Sequence, residues 1–131
     1  MEQQVTVQRK KFSWKARAKS FVYAFQGLKA LFRTEHNARI HAWLTAAVLV
    51  LSFLLHITMA EWVLLILATA LVWTMEIINT ALEKAMDFIS REKLPQIGLV
   101  KDLAAAAVLL SAVAAFLTGT LIFLPKLLQY V

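Results

Sequence analysis

The sequence predicts an all-α integral membrane protein: one amphipathic helix at the membrane surface, followed by three helices that cross it. Three observations carry this expectation. Hydrophobic residues make up 60% of the 131-residue chain, and its mean hydropathy is +0.67, more apolar mass than a soluble domain of this length needs to fill one core. Only 3 glycines and 2 prolines punctuate it, too few for a succession of β-hairpins. The apolar residues gather into three runs, each close to the length at which a helix rising ~1.5 Å per residue crosses a ~30 Å hydrocarbon layer.

In chain order, Phe21, Phe25, Leu28 and Phe32 recur at helical spacing, opposite Lys15, Lys19, Gln26, Lys29 and Arg33. That pattern predicts an interfacial helix over 14–38. The run Ala42 to Ile57, extended slightly toward Ile40, predicts a first span over 40–57. The second run begins at Trp62 and is apolar to Met75, but its helical pattern continues through Glu76, Asn79 and Glu83. This predicts a helix over 62–89 that leaves the bilayer and keeps going. The third run, Leu103 to Leu124, predicts a span over 101–124. The whole chain, 1–131, reads as a single membrane domain.

Composition excludes several functions. The formal charge of +6 and pI of about 9.9 would suggest nucleic acid in a soluble chain, but here the basic residues flank apolar spans, so no nucleic-acid partner is expected. With no cysteine, disulfides and thiolate metal sites are ruled out. The stretch Arg9 to Lys19 leads into an amphipathic pattern, without the compact apolar core of a signal peptide. Nor do Gly27, Gly98 and Gly119 form a glycine-rich phosphate loop.

Thirteen of the fourteen Lys and Arg residues precede the first span or follow the second, leaving Lys126 alone on the other side. Because basic residues are retained in the cytoplasm, the N-terminus and the second connection are expected there and the C-terminus outside.

The string Glu76-Ile-Ile-Asn79-Thr80-Ala81-Leu82-Glu83, with Asp87 after it, places its polar side chains on one stripe of the second spanning helix. A charged group deep in hydrocarbon costs roughly 2.5 to 3.5 kcal/mol on insertion scales, so such a stripe is a functional candidate by default. Glu35 and Arg39 before the first span, and Lys101 and Asp102 at the start of the third, fall at the same membrane level. Three carboxylates, Glu35, Glu76 and Glu83, suit Mg²⁺, which takes oxygen ligands shared with phosphates. Lys101, Arg39 and Arg17 can meet the remaining phosphate charge. The plainer alternative is that these carboxylates pair with Lys or Arg, and Asn79 with a neighbouring helix, only to hold the bundle together. Ala104 to Ala107 and Ser111 form a small-residue face for close helix packing. His36, His41 and His56 lack metal-ligand spacing, and the four tryptophans read as belt or packing residues.

Taken together, Glu76, Asn79, Thr80, Ala81 and Glu83, Asp87 after them, and Lys101-Asp102 leading into an Ala-rich span resemble the prokaryotic diacylglycerol kinase and undecaprenol kinase family. The resemblance covers roughly residues 14–124. It implies a homotrimer in the bacterial inner membrane, with active sites shared between chains, that transfers the γ-phosphoryl group of Mg-ATP to a lipid hydroxyl. On that resemblance Glu76 is the base, and Glu35 and Glu83 are Mg²⁺ ligands that also contact the nucleotide. Asn79 and Arg39 position substrate, and Arg17, Lys101 and Asp102 contact the nucleotide. The stretch Glu35-His36-Asn37 is similar to a Glu-Arg-Asn pattern of members that act on undecaprenol, with His36 in place of Arg. Undecaprenol is therefore the expected lipid and diacylglycerol the alternative. A rival of another class is a small transporter or proton-relay subunit. Its path should carry polar groups past mid-bilayer, where Leu64 to Leu71 offers only Thr69. A purely structural adaptor is the third possibility.

Overall fold

A computed structural model of the chain describes residues 12–90, 92 and 94–129. Its elements are α1 (Trp14–Thr34), α2 (His36–Leu54), α3 (Met59–Ile89) and α4 (Pro95–Leu128), with no strand among the described residues. Helices α2, α3 and α4 are each long and apolar enough to cross a membrane. Large apolar side chains such as Phe53, Ile66, Leu110 and Phe116 point outward, as suits a chain solvated by lipid, in which only helices and closed barrels satisfy their own backbone.

Local capping chemistry sets the ends of these helices. Ser13 caps α1 by accepting from the Ala16 amide. The first helix stops at Thr34, not at residue 38, because Glu35 is extended (φ −103°, ψ 120°) and α2 restarts at His36. The Glu35 amide still closes on the Leu31 carbonyl at 2.9 Å, so the break is a one-residue elbow. Helix α3 starts three residues ahead of the expected span because Thr58 and Glu61 form a capping box. Pro95 opens α4 at its first turn, where its missing N–H costs no hydrogen bond. Apolar composition marks the width of the hydrocarbon, whereas caps mark the helix ends, so the two boundaries differ by several residues.

Helices α3 and α4 form the dominant packing, an antiparallel hairpin. At ~1.5 Å per residue they extend roughly 46 and 51 Å, well beyond the hydrocarbon layer. Small side chains on α4, Ala104 and Ser111, are buried, which lets the helices approach closely. An ion pair between Asp87 and Lys101 joins the hairpin at one end, and one between Glu61 and Lys126, 3.1 Å, joins it at the other. Near the Glu61 end, Ile57, Leu65, Ile122 and Phe123 make a buried apolar cluster, backed by Val48, Leu51, Leu55 and Trp62. Helix α2 contacts the hairpin less extensively. A cleft of about 440 Å³ remains between α2, α3 and α4, running from His41 to Leu127.

The α2–α3 turn holds the one non-glycine residue with positive φ among those described, His56 at 48°. Its amide bonds to the Phe53 carbonyl and that of Ile57 to the Ser52 carbonyl, both at 3.3 Å, the pattern of a helix C-terminus that favours glycine at this position. Since a side chain in the left-handed region costs about 1 to 2 kcal/mol, His56→Gly should raise the thermal midpoint in detergent, and His56→Val should lower it. Circular-dichroism melting checks both.

Candidate active site

The second and third turns of the site half of α3 place Glu76, Asn79, Thr80 and Glu83 toward the other helices. Glu76 is 2% exposed, and its Oε2 has no hydrogen-bond partner among the described residues. The nearest basic nitrogen is His41 Nε2 on α2, at 3.8 Å, beyond hydrogen-bonding distance. Asn79 donates from Nδ2 to Glu83 Oε1 at 3.1 Å, one turn along the helix, while its own Oδ1 is buried and unpartnered among the described residues. Asn79 lines a groove between α3 and α4 that also includes Ala104 and Ala107.

Hydroxyls in the same helices behave differently. Thr45, Ser52, Thr74, Ser111 and Thr118 each donate to a carbonyl of their own helix, at 2.7 to 2.9 Å. Buried polar groups normally find such partners, and an orphan calls for a reason. Here both orphan oxygens, on Glu76 and Asn79, lie within one turn of each other on α3.

The elbow brings in the third acid. Lys84 Nζ donates to Glu35 Oε1 at 3.0 Å and to Thr34 Oγ1 at 3.3 Å, and the Thr34 hydroxyl donates to the same Glu35 oxygen at 2.7 Å. These contacts tie the α1–α2 junction to α3. Glu83 lies two turns beyond Glu76 on α3, and Glu35 reaches the same helix through Lys84. No group of three acidic or histidine side chains converges tightly enough for a metal cage among the described residues. The donors present are carboxylate oxygens, the ligand type Mg²⁺ takes. Glu35 and Glu83 already accept from Lys84 and Asn79, so a metal ion would have to displace or share those contacts.

The remaining sequence candidates scatter. Lys101 is paired with Asp87, at the site end of the hairpin, with Asp102 exposed beside it. Arg39 is exposed on the first turn of α2. Arg17 lies over the Phe12 ring, 5.6 Å from its centroid, near the opposite end of α1. Eighteen residues separate it from Glu35, about 27 Å of helix, so within one chain it stays outside the cluster.

Sequence reasoning passed over Lys84 and the group around His41. Trp73 donates to Thr45 Oγ1 at 3.1 Å, and its ring packs against Phe32 and His41 at centroid distances of 5.5 and 6.4 Å. A usable signal was present, since His41 and Thr45 are one turn apart on a span, and an ionisable group there is a functional candidate.

The fold and site define a helical membrane protein with a buried carboxylate near one end of its membrane-length helices. Residues 22–123 match the model of the prokaryotic diacylglycerol kinases, and the chain belongs to that family. It is 40% identical over 109 residues to the undecaprenol kinase of Bacillus subtilis, covering 83% of this chain and 89% of that one. It is 37% identical over 111 residues to the diacylglycerol kinase of Synechocystis sp., covering 84% of this chain but 63% of that longer one. The protein is therefore a lipid kinase, an ATP-dependent phosphotransferase.

The elbow makes its own prediction. Hydrogen bonding from Thr34, then from Lys84, holds the Glu35 carboxyl below its ordinary value. A lowered folded-state pKa stabilises the protein above the unfolded value, and that contribution is lost as pH falls through the folded one. Thr34→Val should raise the Glu35 midpoint toward the ordinary carboxylate value, and Lys84→Met, which removes both a hydrogen bond and a positive charge, should raise it as well. Carboxyl ¹³C titration of Glu35 reads both shifts.

Proposed function

We propose that this kinase transfers the γ-phosphoryl group of Mg-ATP to undecaprenol, working as a homotrimer in the bacterial inner membrane with its site on the cytoplasmic side. The observation that carries the chemistry is Glu76, a buried carboxylate with an unpartnered oxygen, two turns from Glu83 on the same helix. Phosphoryl transfer asks a protein mainly for positioning and charge stabilisation, so a site can work without a phosphate-binding loop.

In this reading Glu76 takes the proton of the lipid hydroxyl as the hydroxyl oxygen bonds to the γ-phosphorus. The bond from that phosphorus to the bridging oxygen breaks, releasing ADP. Glu35 and Glu83 would hold Mg²⁺, which would neutralise charge on the phosphate oxygens. Asn79 fixes Glu83 through its 3.1 Å hydrogen bond and keeps its carbonyl oxygen free for substrate. Lys101 and Asp102 meet the nucleotide at the site end of the hairpin, and Arg39 meets charge at the start of α2. Arg17, far along α1 from its own chain's cluster, serves the site of a neighbouring chain. Shared sites of this kind need a closed oligomer.

The relative in Bacillus subtilis supports undecaprenol, and the relative in Synechocystis sp. supports diacylglycerol as the second reading. The distribution of Lys and Arg supports the cytoplasmic placement.

Purified protein supplied with γ-labelled ATP and either lipid should put label into undecaprenyl phosphate. Label in phosphatidic acid alone would select the second reading, and no labelled lipid would refute both. Glu76→Gln should lower kcat by roughly 10²- to 10⁴-fold, the usual contribution of a general base, with the oligomer intact by size-exclusion chromatography. Glu83→Ala should shift the Mg²⁺ dependence of activity to higher concentration, and an unchanged Mg²⁺ titration would remove Glu83 as a ligand.

A further inference from the structure

We infer that His41 is a positioning residue for phosphoryl transfer, its imidazole N–H holding the Glu76 carboxylate in the orientation that receives the lipid proton. The inference rests on the assignment of Glu76 as the base.

Two observations converge on His41. Glu76 Oε2 is buried and without a hydrogen-bond partner among the described residues, yet His41 Nε2 faces that same atom at 3.8 Å. A side-chain movement of about 1 Å would bring the pair to ordinary N–H···O distance. Leaving a buried carboxylate oxygen unpaired is costly, so closing this gap is favourable. Either the charged imidazole or the neutral tautomer protonated at Nε2 can donate.

The ring is also confined by its surroundings. Thr45 Oγ1 donates to the His41 carbonyl at 2.7 Å and accepts from Trp73 Nε1 at 3.1 Å. Trp73 packs edge-on against the imidazole, with planes 68° apart. Backbone and ring are thus braced from both α2 and α3, while Nε2 remains directed at Glu76. A histidine that served only packing would not need its polar edge turned toward the one buried acid among the described residues.

Access gives the second argument. Glu76 does not line the apolar cleft, but His41 does, together with Thr45 and Val72. His41 is therefore the side chain shared by the cleft and the carboxylate. A lipid hydroxyl arriving from the cleft meets the imidazole beside Glu76, so His41 contributes to the alignment of acceptor and base. A misplacement of about 1 Å in such an alignment can cost on the order of 100-fold in rate.

Three variants assayed with γ-labelled ATP and undecaprenol in mixed micelles test the inference, with native protein as reference. His41→Leu should lower kcat by about 100-fold while the KM for ATP stays near native, because the nucleotide contacts lie elsewhere. His41→Gln, whose amide N–H reaches a position like Nε2, should recover most of kcat. His41→Asn, one methylene shorter, should not. Native kcat in His41→Leu, or equal rates for Gln and Asn, would overturn the inference and leave the kinase assignment standing. If His41→Leu fails to assemble by size-exclusion chromatography, the Gln–Asn comparison decides alone. Absence of lipid phosphorylation by native protein would overturn both.

Discussion

A carboxylic acid placed inside a bundle of apolar helices gives up its hydration, and the bundle has to return some of what was lost. Glu76 is the group on which this constraint falls, since it is 2% exposed in the middle of a 31-residue helix. Insertion scales put the cost of a charge at mid-span at roughly 2.5 to 3.5 kcal/mol, an upper bound for a group nearer the end of its span. The fold lowers that cost by geometry. It bends the chain at Glu35 so that α2 starts beside α3, and it directs His41 of α2 toward the buried oxygen. The hydroxyls of the same spans show that helices of this composition can satisfy their structural polar groups internally. The oxygens left over belong to Glu76 and Asn79, where a substrate can supply the missing partner.

Two parts of unequal stiffness meet at this point. The α3–α4 hairpin is packed along small residues and joined at each end by an ion pair, so Glu76, Asn79 and Glu83 ride on a rigid platform. The α1–α2 elbow touches that platform over a smaller surface and is tied to it through Lys84, Thr34 and Glu35. In the proposed reaction, the base and one metal ligand come from the platform and the other ligand comes from the elbow. Incoming phosphate and metal ion would compete with the Lys84 ammonium for Glu35, which couples the position of the elbow to occupancy of the site. Exposed pairs of this kind are weak, worth about 0 to 1 kcal/mol, and are therefore easily exchanged.

The parts legible in the sequence are those governed by periodicity and length. Three spans follow from three apolar runs, and the α3 stripe follows from the 3.6-residue repeat through Glu76, Asn79 and Glu83. Helix ends were less legible, because Ser13, the Thr58–Glu61 box and the extended Glu35 act through single hydrogen bonds that hydropathy does not register. By sequence Lys84 counts only among the basic residues that set topology. Its pairing with Glu35, 49 residues away, depends on how α2 and α3 lie together, which no local pattern encodes. His41 was passed over for a related reason: it lacks ligand spacing along the chain, and its importance comes from a neighbour on another helix. Arg17 shows the opposite case, a residue carried by resemblance that a single chain holds far from the cluster.

The one-sided arrangement also bears on the transporter alternative. A path across the membrane needs polar groups at successive depths, yet below Glu76 the hydroxyls of Thr45, Ser52 and Ser111 turn back onto their own helices. Ile57, Leu65, Ile122 and Phe123 then make the far end apolar, and Glu61 and Lys126 beyond them neutralise each other. Unsatisfied polarity in the described part of the bundle is concentrated near Glu76 and Asn79. A solute crossing the membrane would find no continuation there, whereas an amphiphile needs none, because its apolar chain stays in the hydrocarbon while its hydroxyl rests at the depth of the carboxylate. Lipid phosphorylation makes that demand of a binding site, which is why so small a chain can meet it without a deep aqueous pocket.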